Sequence, residues 1–147
     1  MRPAALDHLG LNAALDQLTR EGSARTGVSI LLDADPEIAE LGLSPTLQLV
    51  LYRATQEALN NSLRHAHPRT VHVSLQRHED GIQLRVSDDG DGFTVPARFD
   101  ALVTEGHLGL VGLNERVQHA RGRLCVRSMP HAGTLVQVDL PLEAVLA

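Results

Sequence analysis

The sequence predicts an α+β fold, a two-layer α/β sandwich whose mixed, mostly antiparallel sheet has one face covered by helices. Three observations lead there. Segments with helical apolar spacing are interspersed with strands that alternate apolar and polar residues, two of those strands form a hairpin, and two more close the chain. At 147 residues and 15.9 kDa the chain fits a single domain with room for a core.

The elements follow in order. "LDHLGLNAALDQLTREGSARTG" places Leu6, Leu9, Ala13 and Leu18 at helical spacing and stops at Gly27. "VSILLD" reads as a strand. Ser44 followed by Pro45 is an N-cap and first-turn pair, opening a long helix to about Ala66, where Pro68 stops it. "TVHVSLQR" and "GIQLRVSD" alternate, with Asp80-Gly81 in the short connection between them, a hairpin signature. Weak periodicity from Gly92 to about Gly106 reads as a long loop, of a kind that is usually functional or mobile. A helix then presents Leu110, Leu113 and Val117 and stops near Gly122, before the strands "RLCVRS" and "TLVQVDL".

Composition narrows the function. Hydrophobic residues make up 43% and charged ones 21%, as in ordinary globular proteins. No apolar run approaches the roughly 18 residues of a membrane span and no signal-peptide pattern opens the sequence. With the single Cys125, this suits a cytoplasmic protein without membrane contact. The formal charge of -5 gives no global pull towards nucleic acid, and Tyr52, Phe93 and Phe99 are too few for a base-stacking platform. All 13 basic residues counted as Lys or Arg are Arg. Neither a P-loop nor a eukaryotic-type kinase lysine is possible, so an ATP site here would need another device.

Three constellations carry candidate chemistry. Asp88 falls in phase with Ile82, Leu84 and Val86, which puts a carboxylate at the inner end of a half-buried strand. There it wants a strong donor, for which the exocyclic amine of adenine is suited; alternatively it ends the strand and caps a turn with Gly90. Thr134 is likewise in phase with Val136, Val138 and Leu140. On the long helix, Glu57, Asn61 and Arg64 lie on adjacent turns along one edge of the apolar stripe. A carboxylate, an amide oxygen and a guanidinium in a row suit Mg-triphosphate, and a solvated helix edge is the plainer reading. Asn60 points further to solvent. Third, "GHLGLVGL" sets glycines before and inside a helix start, where phosphate can meet backbone N–H groups. It does not follow a strand closely, which argues against a dinucleotide fingerprint. His65 and His67 are poorly spaced for chelation on a helix and have no Cys partners, so a structural metal site is not expected.

Taken together, order and content resemble a known family. "QEALNNSLRHA" resembles the N box of sensor histidine kinases, "DDGDGF" the G1 box, "GHLGLVGLNERV" the G2 box, and "GTLVQVDLPL" the strand that closes the domain. The sequence thus resembles the catalytic ATP-binding domain of the gyrase and histidine-kinase ATPase superfamily, the Bergerat fold. "LDHLGL" and the run from Gly109 to Arg116 are similar to the subgroup that signals to LuxR-type response regulators. The resemblance implies that residues 1–26 are the tail of a dimerisation region and residues 27–147 the catalytic domain. It implies ATP and Mg²⁺ as ligands. Asp88 would read the adenine amine with Thr134 nearby, Gly90 and Gly92 would shape the pocket edge, and residues 93–106 would form a lid. Gly106, His107, Leu108 and Gly109 would border the phosphates. Asn61 would hold Mg²⁺, Glu57 would assist transfer, and Arg64 and His65 would contact the nucleotide. The implied partners are a dimerisation domain bearing the phosphoacceptor histidine and, downstream, a LuxR-type response regulator. His8 lacks the context of an acceptor. The isolated domain should be monomeric and bind nucleotide with little turnover. Two other readings stay open: an anti-sigma-factor-type serine protein kinase and a non-catalytic adenine-nucleotide-binding regulatory module.

Overall fold

A computed structural model describes residues 3–94 and 108–141. The first helix, α1 (Ala4–Thr26), leads to strand β1 (Ser29–Ala34), a short helix α2 (Glu37–Glu40) and the long helix α3 (Pro45–Asn61), which continues into a π-helical turn over Ser62–Ala66. Strands β2 (Thr70–His78) and β3 (Gly81–Asp88) follow, then helix α4 (Leu108–His119) and strands β4 (Arg123–Ser128) and β5 (Thr134–Pro141). The sheet runs β1-β2-β3-β5-β4; β1 and β2 are parallel and every other pairing is antiparallel.

The two layers follow from the alternation of the strands. Register aligns Val73, Val86, Val136 and Val126 across the sheet, and Leu75, Leu84, Val138 and Leu124 in the next row. These side chains face the helices, and those of β2 and β3 among them are fully buried. Leu51, Ala54 and Ala58 of α3 and Leu110, Leu113 and Val117 of α4 complete the core from the other layer. Burying a Leu or Val stabilises by about 1.5–3 kcal/mol, so this single contiguous cluster is what fixes the sheet against the helices.

The ends of α3 are built as expected at one terminus and differently at the other. The Ser44 hydroxyl accepts from Leu47 N–H at 3.2 Å, with Pro45 in the first turn. At the C-terminal end the helix does not stay α-helical to Ala66. It widens into the π turn and stops at His67, whose φ of 49° is left-handed, just before Pro68.

In the first helix the apolar stripe is out of phase with the one expected. Gly10 has φ 81° and ψ 174°, a kink that resets the helical phase. Leu6 is buried, but Leu9 and Ala13 are exposed, and Leu11, Ala14 and Leu15 enter the core instead. Gly27 closes the helix in the left-handed conformation as expected, its N–H bonded to Ser23 O at 2.9 Å.

Two other glycines sit where turns were expected but serve close packing. In the β2–β3 hairpin the left-handed residue is Glu79, and Gly81 is already paired with His78; a Cβ on Gly81 would strike the backbone of Leu140. After α4 the left-handed residue is Arg121, while Gly122 sends its N–H to Val117 O and lies against Leu140 and Asp139.

Candidate functional site

The inner ends of β3 and β5, the π turn and the start of α4 meet at one edge of the sandwich. Asp88 and Thr134 are register partners across β3 and β5, both on the helix-facing side of the sheet. A cavity there is lined by Asp88, Thr134, Asn61, His65, Ser62 and Phe93, over a floor of Ala58, Ala66, Val86, Leu110 and Val136. Its free volume is about 20 Å³, room for roughly one water. A purine therefore enters only if the walls part. A wider groove of about 500 Å³ lies at the opposite end of the sheet, beside Gly81, Arg121 and Asp139, and holds none of the expected site residues.

Asp88 turns out to perform both roles that its position allowed. Its Oδ1 accepts from Gly90 N–H at 2.9 Å, so it does cap the turn after β3. Its second carboxylate oxygen makes no hydrogen bond to a described residue, while the side chain lines the cavity. The capping bond orients the carboxylate and leaves one oxygen as an acceptor at an otherwise largely apolar wall. The turn itself is packed against the π turn. Gly90 lies so near the carbonyl and Cβ of Ala66 that no side chain fits there, and Asp91 N–H donates to Ala66 O at 2.6 Å. Gly92 adopts φ 67° against the carbonyls of Met129 and Gly133, which only glycine tolerates easily.

The helix residues divide. Asn61 and His65 reach the cavity, whereas Arg64 is exposed outside its lining. Asn61 donates from Nδ2 to Glu57 O at 2.8 Å, which commits the amide nitrogen to the backbone and turns Oδ1 the other way. A neutral amide oxygen is a group that suits a hard cation that keeps most of its waters. Glu57 lies outside the cavity, with its carboxylate against Gly109 in the first turn of α4; a Cβ at 109 would collide with it. Asn60 is exposed, as its helical angle implied. Leu108 opens α4, and Gly106, His107 and the expected lid over residues 93–106, beyond its first two positions, lie outside the described residues.

Three residues that sequence reasoning missed belong to the same region. Ser128, the register partner of Thr134, bonds the Thr134 hydroxyl at 2.8 Å, donates to Gly133 O at 3.0 Å and accepts Phe93 N–H at 2.8 Å. It ties the chain leaving the Asp88 turn to β5. The alternation that singled out Thr134 also picks Ser128, in phase with Leu124 and Val126. Ser62 is buried on the cavity wall, and its hydroxyl has no partner among the described residues. It lies four residues after Ala58 on the apolar stripe, a signal available in the sequence. Asp89 points away from the cavity, and its Oδ1 accepts the N–H groups of Arg69 at 2.8 Å and Thr70 at 3.0 Å. These bonds, that from Thr70 foremost, hold its carboxyl below the usual carboxylate range.

Known proteins resemble this chain in sequence and in fold. Residues 46–144 match the family model described as histidine kinase-, DNA gyrase B-, and HSP90-like ATPase. The chain is 36% identical over 148 residues to the sensor histidine kinase MctS of Rhizobium johnstonii, covering 98% of this chain and 30% of that protein. It is 34% identical over 142 residues to the oxygen sensor histidine kinase NreB of Staphylococcus carnosus, covering 97% of this chain and 39% of that one. The chain thus spans little more than a third of such relatives at most. Among solved structures, a histidine kinase domain from the Erythrobacter litoralis EL346 blue-light activated histidine kinase has the same fold, with a TM-score of 0.71 at 23% identity over 90% of this chain and 61% of that one. The five-stranded, mostly antiparallel sheet with its helices is the part of the architecture that the two structures share. The chain belongs to the histidine kinase-, DNA gyrase B- and HSP90-like ATPase family, as an ATP-binding catalytic domain of the sensor histidine kinase type.

Proposed function

We propose that this domain binds Mg-ATP with adenine in the cavity beside Asp88, and presents the γ-phosphoryl group to a histidine on a dimerisation domain. The observation that carries the reading is the Asp88 carboxylate. One oxygen is held by Gly90 N–H and the other is left for a donor, on a wall shared with Thr134, Asn61 and His65. In this reading Asn61, whose Nδ2 is bonded to Glu57 O, holds Mg²⁺ through Oδ1. When bound, the cation neutralises phosphate charge. Glu57, at the first turn of α4, accepts the proton of the incoming imidazole. Arg64, exposed one turn from Asn61, contacts phosphate from the solvent side.

Transfer of this kind rests on positioning and charge stabilisation. The isolated domain therefore binds nucleotide with little turnover and acts as a monomer in the cytoplasm. The helix segment before Gly10, where Leu9 is 57% exposed, continues a dimerisation region in this reading, and the phosphoryl group passes onward to a LuxR-type response regulator.

Asp88→Asn tests the adenine assignment. The variant keeps an acceptor for Gly90 and replaces the charged partner of the amine, losing a charge-assisted hydrogen bond of about 1.5–3 kcal/mol. Calorimetry should show ATP binding weakened by roughly tenfold or more. Unchanged affinity in a folded variant would remove Asp88 from that role.

A further inference from the structure

Asp89, the first residue after β3, does not line the cavity beside Asp88. Its contacts run to another segment instead. Oδ1 accepts from Arg69 N–H and Thr70 N–H, and the N–H of Asp89 reaches Thr70 O at 3.3 Å. Two residues further on, Asp91 N–H donates to Ala66 O at 2.6 Å, and the Asp91 carboxylate meets His67 Nδ1 at 3.2 Å. The turn after β3 is therefore fastened at both its ends to residues 66–70.

That segment needs an outside acceptor. His67 is left-handed and Pro68 has no N–H, so the chain between the π turn and β2 has little backbone bonding of its own. The first two N–H groups after the proline both go to Asp89. The π turn before them carries His65 and follows directly on Asn61.

We propose that Asp89 is a positioning residue for nucleotide binding: its carboxylate pins the strand end that aims Asp88 to the segment that carries Asn61 and His65. The proposal rests on the nucleotide reading above. Without the carboxylate the two segments separate more easily, and a ligand that needs both has to close them again, which lowers its apparent affinity. Geometry matters here more than charge, since an amide oxygen at the same place accepts the same two bonds.

The test is a double-mutant cycle read by calorimetric titration with Mg-ATP, at a temperature where circular dichroism shows each variant folded. Asp89→Ala should weaken binding by about three- to tenfold, whereas Asp89→Asn should stay within about twofold of wild type. Asp88→Asn should cost less in the Asp89→Ala background than in wild type, because Asp88 is already poorly aimed there. If Asp89→Ala does not fold, Asp89→Glu, which shifts the acceptor by one methylene, takes its place with the same expectation. Wild-type affinity in the folded Ala or Glu variant, or independent effects of the two positions, overturns the proposal alone. Wild-type protein that takes up no ATP overturns the nucleotide reading and the proposal with it.

Discussion

Two adjacent aspartates, the last residue of β3 and the first after it, divide two tasks between them. Asp88 looks into the cavity and Asp89 looks back to the start of β2. The position of Asp88 is legible in the sequence, since period-two alternation with Ile82, Leu84 and Val86 puts it on the buried side. Thr134 is legible for the same reason, and Ser128 follows from the rule applied to one more strand. Asp89 is not legible, because the N–H groups it serves lie 19 and 20 residues away and become neighbours only through the register of β2 and β3. Its lowered pKa makes a pH prediction. The folded state holds the carboxylate ionised more readily than the unfolded chain does, so the stabilisation is fully present above the ordinary carboxylate value, about 4. It is lost as pH falls through the lower folded value. In acid titrations followed by circular dichroism, Asp89→Asn should unfold with a shallower dependence on pH below about 4 than wild type; identical acid limbs would show that the carboxylate contributes nothing there.

Among the elements, α3 and α4 meet through a contact that is catalytic in the proposed reading and cheap to disturb structurally. Gly109 leaves room for the Glu57 carboxylate, the far end of a flexible side chain that can move aside. Gly109→Ala should thus keep a melting temperature close to wild type, helped slightly by the better helix propensity of alanine. By displacing Glu57 it should slow phosphoryl transfer to a supplied dimerisation domain by about tenfold or more. A variant with normal transfer would exclude Glu57 from the proton-accepting role. The three longer helices and most of their ends are readable from spacing and caps, as Ser44–Pro45 and Gly27 show, whereas the four-residue α2 was not expected. The π turn is not, since "NNSLRHAH" carries no local mark of widened helical pitch. The kink at Gly10 is also missed: a single glycine in an apolar-periodic run reads as a tolerated helix residue, and its left-handed φ shifts every position before it. Gly81 and Gly122 show the reverse error. Each looks like a turn former, yet the left-handed conformation falls on Glu79 and Arg121, and the glycines answer to Leu140.

For the whole molecule, the two-layer architecture is readable because strand and helix periods differ and one strand face is apolar except at the site end, where Asp88, Thr134 and Ser128 stand. Strand order is not, because β5 enters between β3 and β4 and β1 joins parallel to β2, arrangements that apolar patterning alone does not distinguish. That order is what matters for function. Putting β5 beside β3 brings Thr134 opposite Asp88, and the helix layer then sets Asn61 and His65 across the cavity from both. In the proposed reading, a chain without a single lysine reaches a nucleotide site through a carboxylate that reads the base and a helix edge that faces the phosphates. The most direct measurement is calorimetric titration of the domain with Mg-ATP and Mg-GTP. Adenine offers Asp88 an amine donor where guanine offers a carbonyl oxygen, so Mg-ATP should bind at least about tenfold more tightly. Equal affinity for the two nucleotides, or a preference for Mg-GTP, would contradict the account.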